Sequence, residues 1–146
     1  MSTRSRIGIL LPDDSILSVY HHWDGYPEWL GVTLEEHFNT YEKASELIDG
    51  GNMGSCYSDN EYNSETGEYE KTEPRTTYYG GDDEAPILSK NFDEFTQIDC
   101  WQEYSYIFVT DRWVGYAIKQ HYDENYEEIV SVTVEEVEIP KKQTVE

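Results

Sequence analysis

Acidic side chains outnumber basic ones in this chain by 31 to 10, which leaves a net charge of −21 over 146 residues. Because like charges at this density repel one another, folding requires other side chains to bury enough apolar surface to offset the repulsion. Hydrophobic residues make up only 37% of the chain, but they include 4 Trp, 13 Tyr and 4 Phe. Since one aromatic side chain buries roughly 150–250 Å², we expect a single folded domain over residues 1–146.

Two stretches have the pattern of β-hairpins, in which apolar runs flank residues that favour a turn. Residues 6–11 and 16–20 flank Pro12–Ser15, and residues 104–109 and 113–119 flank Thr110–Arg112. By periodicity alone, residues 126–139 fit either a helix or a strand, and their β-branched side chains favour a strand. We expect a bulge in this strand at Glu135–Glu136, which returns the later apolar residues to the inner face.

A helical segment follows the N-terminal hairpin. Thr33 and Glu36 have the spacing of a capping box, which predicts that a helix begins at Thr33. Asn39 and Thr40 indicate a break into two short helices, because threonine is a good N-cap. Gly50–Gly51 supplies a left-handed end to the second helix.

Together these elements predict an α+β domain, with an antiparallel sheet that carries one or two short helices packed on one face. Asn91 is expected to cap one further short helix before residues 92–95. The acid-rich stretch from about 57 to 75 has no aliphatic residue to bury, so we expect either a long exposed acidic loop or a mobile hairpin tip. Residues 140–146 are expected to form a frayed tail.

The sequence has no pattern that is specific for catalysis or metal binding. The candidate metal ligands are His21, His22, Asp24, His37 and His121. Adjacent residues of a strand point to opposite faces, so His21 and His22 do not converge on one ion. Cys56 and Cys100 lie in acidic surroundings that disfavour the thiolate, and we expect buried, inert thiols. We therefore predict no catalytic residue, no metal and no cofactor.

The acidic residues are concentrated in two stretches. Residues 59–84 contain nine acids and two bases, and residues 120–138 contain seven acids and no Lys or Arg. Residues two apart on a strand are roughly 6.6 Å apart and share a face, a spacing that resembles successive phosphates of a nucleic-acid strand. The sequence therefore predicts a face that imitates DNA and binds a basic groove on another protein.

The predicted partner-binding residues are the carboxylates of these two stretches. The first group is Asp59, Glu61, Glu65, Glu68, Glu70, Glu73, Asp82, Asp83 and Glu84, and the second is Asp123, Glu124, Glu127 and Glu128. Tyrosines lie among them and are candidate anchors, because Tyr supplies a large contact area at low entropic cost. These are Tyr57, Tyr62, Tyr69, Tyr78, Tyr79, Tyr122 and Tyr126. The alternative is that the acids only keep a small protein soluble.

The segment HHWDGYPEWLG, residues 21–31, has two interpretations. In the first, it is a packed corner in which Trp23, Tyr26 and Trp29 bury their rings against the helix and Gly25 adopts a positive φ. In the second, it rims a small-ligand pocket formed by His22, Trp23, Asp24 and Tyr26.

The N-terminal third also resembles a known group of sequences. TRSRIGI, HWDGYPE and TLEEHFNT, followed by KASELIDGG, resemble a functionally uncharacterised family of small acidic bacteriophage proteins over residues 2–55. Pro12-Asp13-Asp14 departs from the shorter, glycine-ended turn of that family. The resemblance implies a phage origin and expression in a bacterium, and it implies no catalytic residue.

These observations predict a phage-encoded inhibitor without enzymatic activity in the cytoplasm of the host bacterium. Its expected partner is a bacterial nucleic-acid-binding protein with a basic groove, such as a restriction, CRISPR or transcription component. We expect no direct binding to nucleic acid and no insertion into a membrane, because phosphates repel this chain and no stretch approaches the roughly 18 apolar residues of a span. The alternatives are a small-ligand or nucleotide-signal binding protein or enzyme that uses the HHWDGYPEW segment, and an accessory virion protein.

Overall fold

The fold is known from a computed structural model, which describes residues 3–23, 25–57, 60–63, 65–71, 75–80, 84–98 and 100–139. The strands are β1 Ser5–Leu10, β2 Ile16–His21, β3 Met53–Tyr57, β4 Asn60–Asn63, β5 Glu68–Lys71, β6 Arg75–Tyr78, β7 Ile87–Ser89, β8 Tyr104–Val109, β9 Arg112–Tyr122 and β10 Ile129–Val137. The helices are α1 Val32–His37, α2 Tyr41–Asp49 and α3 Phe92–Thr96, and a π-helical turn at Pro27–Gly31 runs directly into α1.

The main sheet has the strand order β10-β9-β8-β1-β2-β3-β6, and β7 also pairs with β2. β4 and β5 form a separate two-stranded sheet. The β1–β8 and β2–β3 pairs are parallel, whereas the other pairs are antiparallel. The α+β class is therefore confirmed, but the sheet is mixed and not antiparallel throughout. The expected packing of the helices on one face is not shown.

Strand alternation divides the buried side chains into two clusters. The larger cluster joins β1, β2, β8 and β9 to α1 and α2, through residues that include Ile7, Ile9, Val19, Leu34, Leu47, Ile48, Tyr106 and Phe108. The smaller cluster joins the sheet to α3 and consists of Ile16, Phe95, Ile107 and Ile118, with Phe92 and Val132 packed against them. Aromatic side chains thus supply part of both clusters, in keeping with the composition.

Both predicted hairpins are present. β1 pairs with β2 from Ser5↔His21 to Leu10↔Ile16, and the Asp13 carboxylate accepts a hydrogen bond from the Ser15 N–H at 3.1 Å in the turn. β8 and β9 pair from Tyr104↔Ala117 to Val109↔Arg112. β10 confirms the choice of strand over helix, but its register shift lies between Ile129 and Ser131, so the bulge expected at Glu135–Glu136 is wrong.

The helix ends depart from the prediction at one place. Thr33 lies inside α1, where its hydroxyl donates to the Trp29 carbonyl at 2.9 Å, and the residue before the helix is Gly31. The capping box is therefore wrong, because the π-helical turn continues into α1 and occupies the Thr33 hydroxyl. The other expected caps are confirmed: Thr40 accepts from the Lys43 N–H at 3.2 Å, and Asn91 accepts from the Glu94 N–H at 2.9 Å.

The predicted acidic loop at about 57–75 contains regular structure. β4 and β5 form a hairpin within it, and β6 begins at its end. Residues 58–59, 64 and 72–74 of this stretch lie outside the described residues, as do residues 140–146, which were expected to form the frayed tail.

Candidate functional site

The first predicted group of carboxylates is only partly described. Asp59, Glu73, Asp82 and Asp83 lie outside the described residues. Glu61, Glu68 and Glu70 lie on the β4–β5 hairpin, where Glu61 is the register partner of Glu70. Since alternate residues of a strand share a face, the backbone places these three residues on one face of the hairpin. Glu65 is exposed in the turn that joins the strands.

Glu84 has a structural role. Its carboxylate accepts a hydrogen bond from the Asn52 side-chain amide at 2.9 Å, and its carbonyl accepts from the Asn52 N–H at 2.7 Å. Asn52 in turn accepts from the Tyr20 N–H at 2.8 Å. Glu84 therefore joins the end of α2 to the sheet, and its role in partner binding stays a prediction.

The second predicted group forms the loop between β9 and β10. Asp123 organises the loop: its carboxylate accepts from the Glu127 N–H at 2.9 Å, and its own N–H donates to the Glu128 carbonyl at 2.9 Å. Glu124, Glu127 and Glu128 are exposed. The structure therefore brings these three predicted residues together on one loop, where their carboxylates face solvent.

An aromatic cluster lies beside this loop, and sequence reasoning found only part of it. The Trp101 ring stacks on Tyr122 with centroids 4.3 Å apart, and Tyr126 lies 6.4 Å from each of them. Trp101 is 50% exposed and Tyr126 is 70% exposed. Both adopt a left-handed backbone with φ of 57°, which is uncommon for residues other than glycine. Trp101 is 21 residues from Tyr122 in sequence, so no local pattern could have linked them.

The two acidic segments lie at opposite ends of the main sheet. The β4–β5 hairpin connects β3 to β6 at one edge, and the β9–β10 loop adjoins the other edge. Neighbouring strands are about 4.8 Å apart, so the two edges are roughly 29 Å apart. The described acidic positions thus belong to two separate segments of the chain, one next to each edge of the main sheet.

No family model, curated protein or solved structure matches the chain. The resemblance of residues 2–55 to a phage family therefore stays a prediction. Among the described residues, no group of three or more His, Cys, Asp or Glu side chains is placed to hold a metal ion. None of the helices in the described ranges combines the length and the apolar character needed to cross a membrane.

The packed-corner interpretation of the HHWDGYPEW segment is wrong for its rings. Trp23, Tyr26 and Trp29 are 47%, 43% and 53% exposed, whereas Leu30 of the same segment is fully buried. Gly25 is needed for close approach and not for a positive φ. A Cβ on Gly25 would lie 2.7 Å from the Ser5 hydroxyl oxygen.

The pocket interpretation of the same segment is separate from one groove that the described residues form. A groove of about 310 Å³ lies between α3 and β10, and neither His22, Trp23 nor Tyr26 lines it. His22 instead contacts the Tyr20 hydroxyl through Nδ1 at 2.7 Å, and its ring meets Trp23 edge-on. Asp24 lies outside the described residues.

The two cysteines differ in their surroundings, and neither forms a disulfide. Cys56 is buried, and burial raises the pKa of its thiol to about 11 despite a hydrogen bond from the Thr76 hydroxyl. Cys100 is partly exposed, so the expectation of burial is wrong for this residue.

Alkylation should distinguish the two thiols. Because the thiolate is the reactive form, iodoacetamide at pH 8 should label Cys100 in the native protein and leave Cys56 unmodified, whereas urea should expose both. Mass spectrometry of the digested protein measures the labelled fraction of each cysteine. Equal labelling in the native state would contradict the burial of Cys56.

Proposed function

We propose that this protein is a phage-encoded effector without enzymatic activity that imitates DNA and occupies the nucleic-acid groove of a bacterial protein in the host cytoplasm. The partner in this proposal is a restriction, CRISPR or transcription component. The supporting observation is the net charge of −21, with acidic residues on the β4–β5 hairpin and on the β9–β10 loop, next to opposite edges of one sheet. A groove that releases counterions when it binds DNA gains the same release from a protein with carboxylates in matching positions.

The spacing of the acidic residues supports a long binding surface. Glu68 and Glu70 are alternate residues of β5, so their backbone positions are roughly 6.8 Å apart. The two edges of the main sheet, next to which the two acidic segments begin, are roughly 29 Å apart, which is close to the roughly 34 Å of one helical turn of DNA. Carboxylates distributed over such a length complement a groove built for about one turn of duplex.

The repulsion between acidic residues on paired strands also supports a role for them in binding. Glu61 lies directly opposite Glu70, and like charges in a cross-strand pair destabilise a hairpin by roughly 0.2–1 kcal/mol. A basic partner removes this repulsion when it binds. The free energy of binding to such a partner therefore includes the relief of strain that the free protein carries.

Charge reversal on the β4–β5 hairpin should weaken binding to the partner by well over tenfold at low salt. The test captures proteins from a bacterial lysate on the tagged protein at low and high salt, purifies the captured protein and measures its dissociation constant. The test variant is Glu61→Lys/Glu68→Lys/Glu70→Lys. The matched control, Glu42→Lys/Glu46→Lys/Asp49→Lys, makes the same change in net charge on exposed positions of α2.

Two results together support the proposal: duplex DNA competes with the protein for the captured partner, and only the hairpin variant loses affinity. Equal affinity of the two variants, or capture that duplex DNA does not affect, contradicts it. A rise in melting temperature with a small metabolite and no protein partner would favour a ligand-binding role for the HHWDGYPEW segment. Stoichiometric copies in purified particles would favour an accessory virion protein.

A further inference from the structure

The aromatic cluster of Trp101, Tyr122 and Tyr126 is a built surface that the acidic residues alone do not explain. Three separate segments form it: the connection before β8, the end of β9 and the β9–β10 loop. The Trp101 and Tyr122 rings are nearly parallel, at 21°. Half of Trp101 and most of Tyr126 are exposed, so the cluster offers flat ring faces to another molecule.

Hydrogen bonds fix the base of this cluster. The Tyr122 hydroxyl donates to the Gln120 side-chain oxygen at 3.2 Å. The Gln120 amide donates to the Thr96 carbonyl at 3.0 Å and to the Ile98 carbonyl at 2.7 Å, which ties β9 to the end of α3. The Tyr122 ring, on which Trp101 stacks, is therefore held in place before any partner binds, and a contact with this pair costs little conformational entropy.

The charges around the cluster determine what it binds. Glu124, Glu127 and Glu128 are exposed on the loop that also carries Tyr126. Nucleobases also stack on aromatic rings, but these carboxylates repel the phosphates that accompany a base. A guanidinium group fits both features, because its planar face stacks on an aromatic ring and its N–H groups donate to carboxylates in pairs.

We propose that Trp101, Tyr122 and Tyr126 form an arginine-binding site that anchors a basic segment of a partner protein. The guanidinium lies against the exposed rings and donates to the carboxylates of the loop. The groove between α3 and β10 begins next to this site, because its lining residue Ile129 is the register partner of Tyr122, and it offers both polar and apolar side chains to the rest of the segment. The site rests on the proposed function and names the chemical group of the partner that this end of the sheet recognises.

The test uses the full-length protein and the peptide acetyl-Arg-Arg-Arg-amide as the probe. Nuclear magnetic resonance follows the indole N–H signals of the four tryptophans during the titration. We expect the Trp101 signal to shift and the signals of Trp23 and Trp29 to stay constant. The matching lysine peptide should bind several-fold more weakly, since its ammonium neither stacks on the rings nor donates to two carboxylate oxygens at once.

Variants separate the site from general attraction between opposite charges. Tyr126→Ala should raise the dissociation constant of the arginine peptide about fivefold, whereas Tyr126→Phe keeps the ring and should restore binding. Trp23→Ala removes an exposed ring elsewhere and serves as the control. An unshifted Trp101 signal, or unchanged affinity in Tyr126→Ala with a native spectrum, overturns the inference.

The outcomes also distinguish the inference from the proposed function. If the β4–β5 variant loses a DNA-competed partner while the arginine peptide fails to bind, the proposed function stands and the arginine site is wrong. If the peptide binds at Trp101 and duplex DNA does not affect the captured protein, the arginine site stands and imitation of DNA is wrong.

Discussion

Replacing Arg6 with alanine is expected to lower the free energy of unfolding by about 3–5 kcal/mol. Arg6 lies on β1 and is only 2% exposed. Its Nε donates to the Ser18 hydroxyl and one terminal nitrogen donates to the Ser18 carbonyl, both at 3.0 Å. Alanine would leave a cavity in the sheet and two buried acceptors without their donor, and both effects destabilise the folded state.

Burial lowers the pKa of the Arg6 guanidinium, and the neighbouring Cys100 opposes this change. The folded state thus holds a cation where desolvation disfavours it, so the hydrogen bonds to Ser18 must be retained to compensate. Ser18→Ala removes one of these bonds and should cost about 1–2 kcal/mol.

Urea unfolding of the parent and the variants measures these free energies. Arg112→Ala is the control, because Arg112 is exposed and its loss should change the free energy of unfolding by less than about 0.5 kcal/mol. A change below about 1 kcal/mol in Arg6→Ala would show that the guanidinium is hydrated and contradict its burial.

Local chemistry explains the parts of the fold that the sequence predicted correctly. The turn at Pro12–Ser15, the run at Thr110–Arg112 and the caps Thr40 and Asn91 each depend on residues within a few positions of one another. Such signals can be read along the chain. The choice of strand for β10 had the same basis, because β-branched side chains favour extended backbone wherever the strand pairs.

The parallel pairs and the parts of the sheet that depend on them could not be predicted in this way. β1 pairs with β8, almost 100 residues later, and only the packing of the whole sheet selects this partner. Thr33 failed as a cap for a related reason: its pattern was correct, but the preceding Pro27–Gly31 turn already had helical hydrogen bonds. The hydrogen bonds of this turn therefore took precedence over the local capping pattern.

The same difference between local signals and long-range contacts applies to the candidate site. The acids among residues 123–128 lie close together in the sequence, so their place on one loop could be predicted. Trp101 lies in the connection between α3 and β8, and only the complete fold brings its ring against Tyr122. Glu84 is a case in which the local sequence did not indicate the contact that the fold makes. Its place in an acidic stretch suggested partner binding, and its bond to Asn52 gives it a structural role.

Acidification below pH 6.5 is expected to lower the free energy of unfolding by about 1.4 kcal/mol for each pH unit, because of His21. His21 is fully buried, and its Nδ1 lies 3.1 Å from the Ser5 hydroxyl oxygen. Its Nε2 has no hydrogen-bond partner among the described residues. Burial, and secondly the proximity of His22, lower the pKa of His21 from 6.5 to about 3.

The direction of this pH dependence follows from the number of protons that the folded and unfolded states bind. Between pH 6.5 and 3, the unfolded chain binds a proton at His21 and the folded protein does not, so stability rises with pH in this range. The contribution is complete above pH 6.5 and is lost as the pH falls towards 3, to a total of roughly 4–5 kcal/mol.

The numerous carboxylates also titrate in this range, so the measurement compares the parent with His21→Gln, in which their contribution is common. The difference in free energy of unfolding between the two proteins, obtained from urea unfolding at pH 7, 5.5 and 4.5, should shift in favour of the variant as the pH falls. A constant difference for His21→Gln would mean that His21 is protonated in the folded protein near its ordinary pKa, and that water reaches its ring.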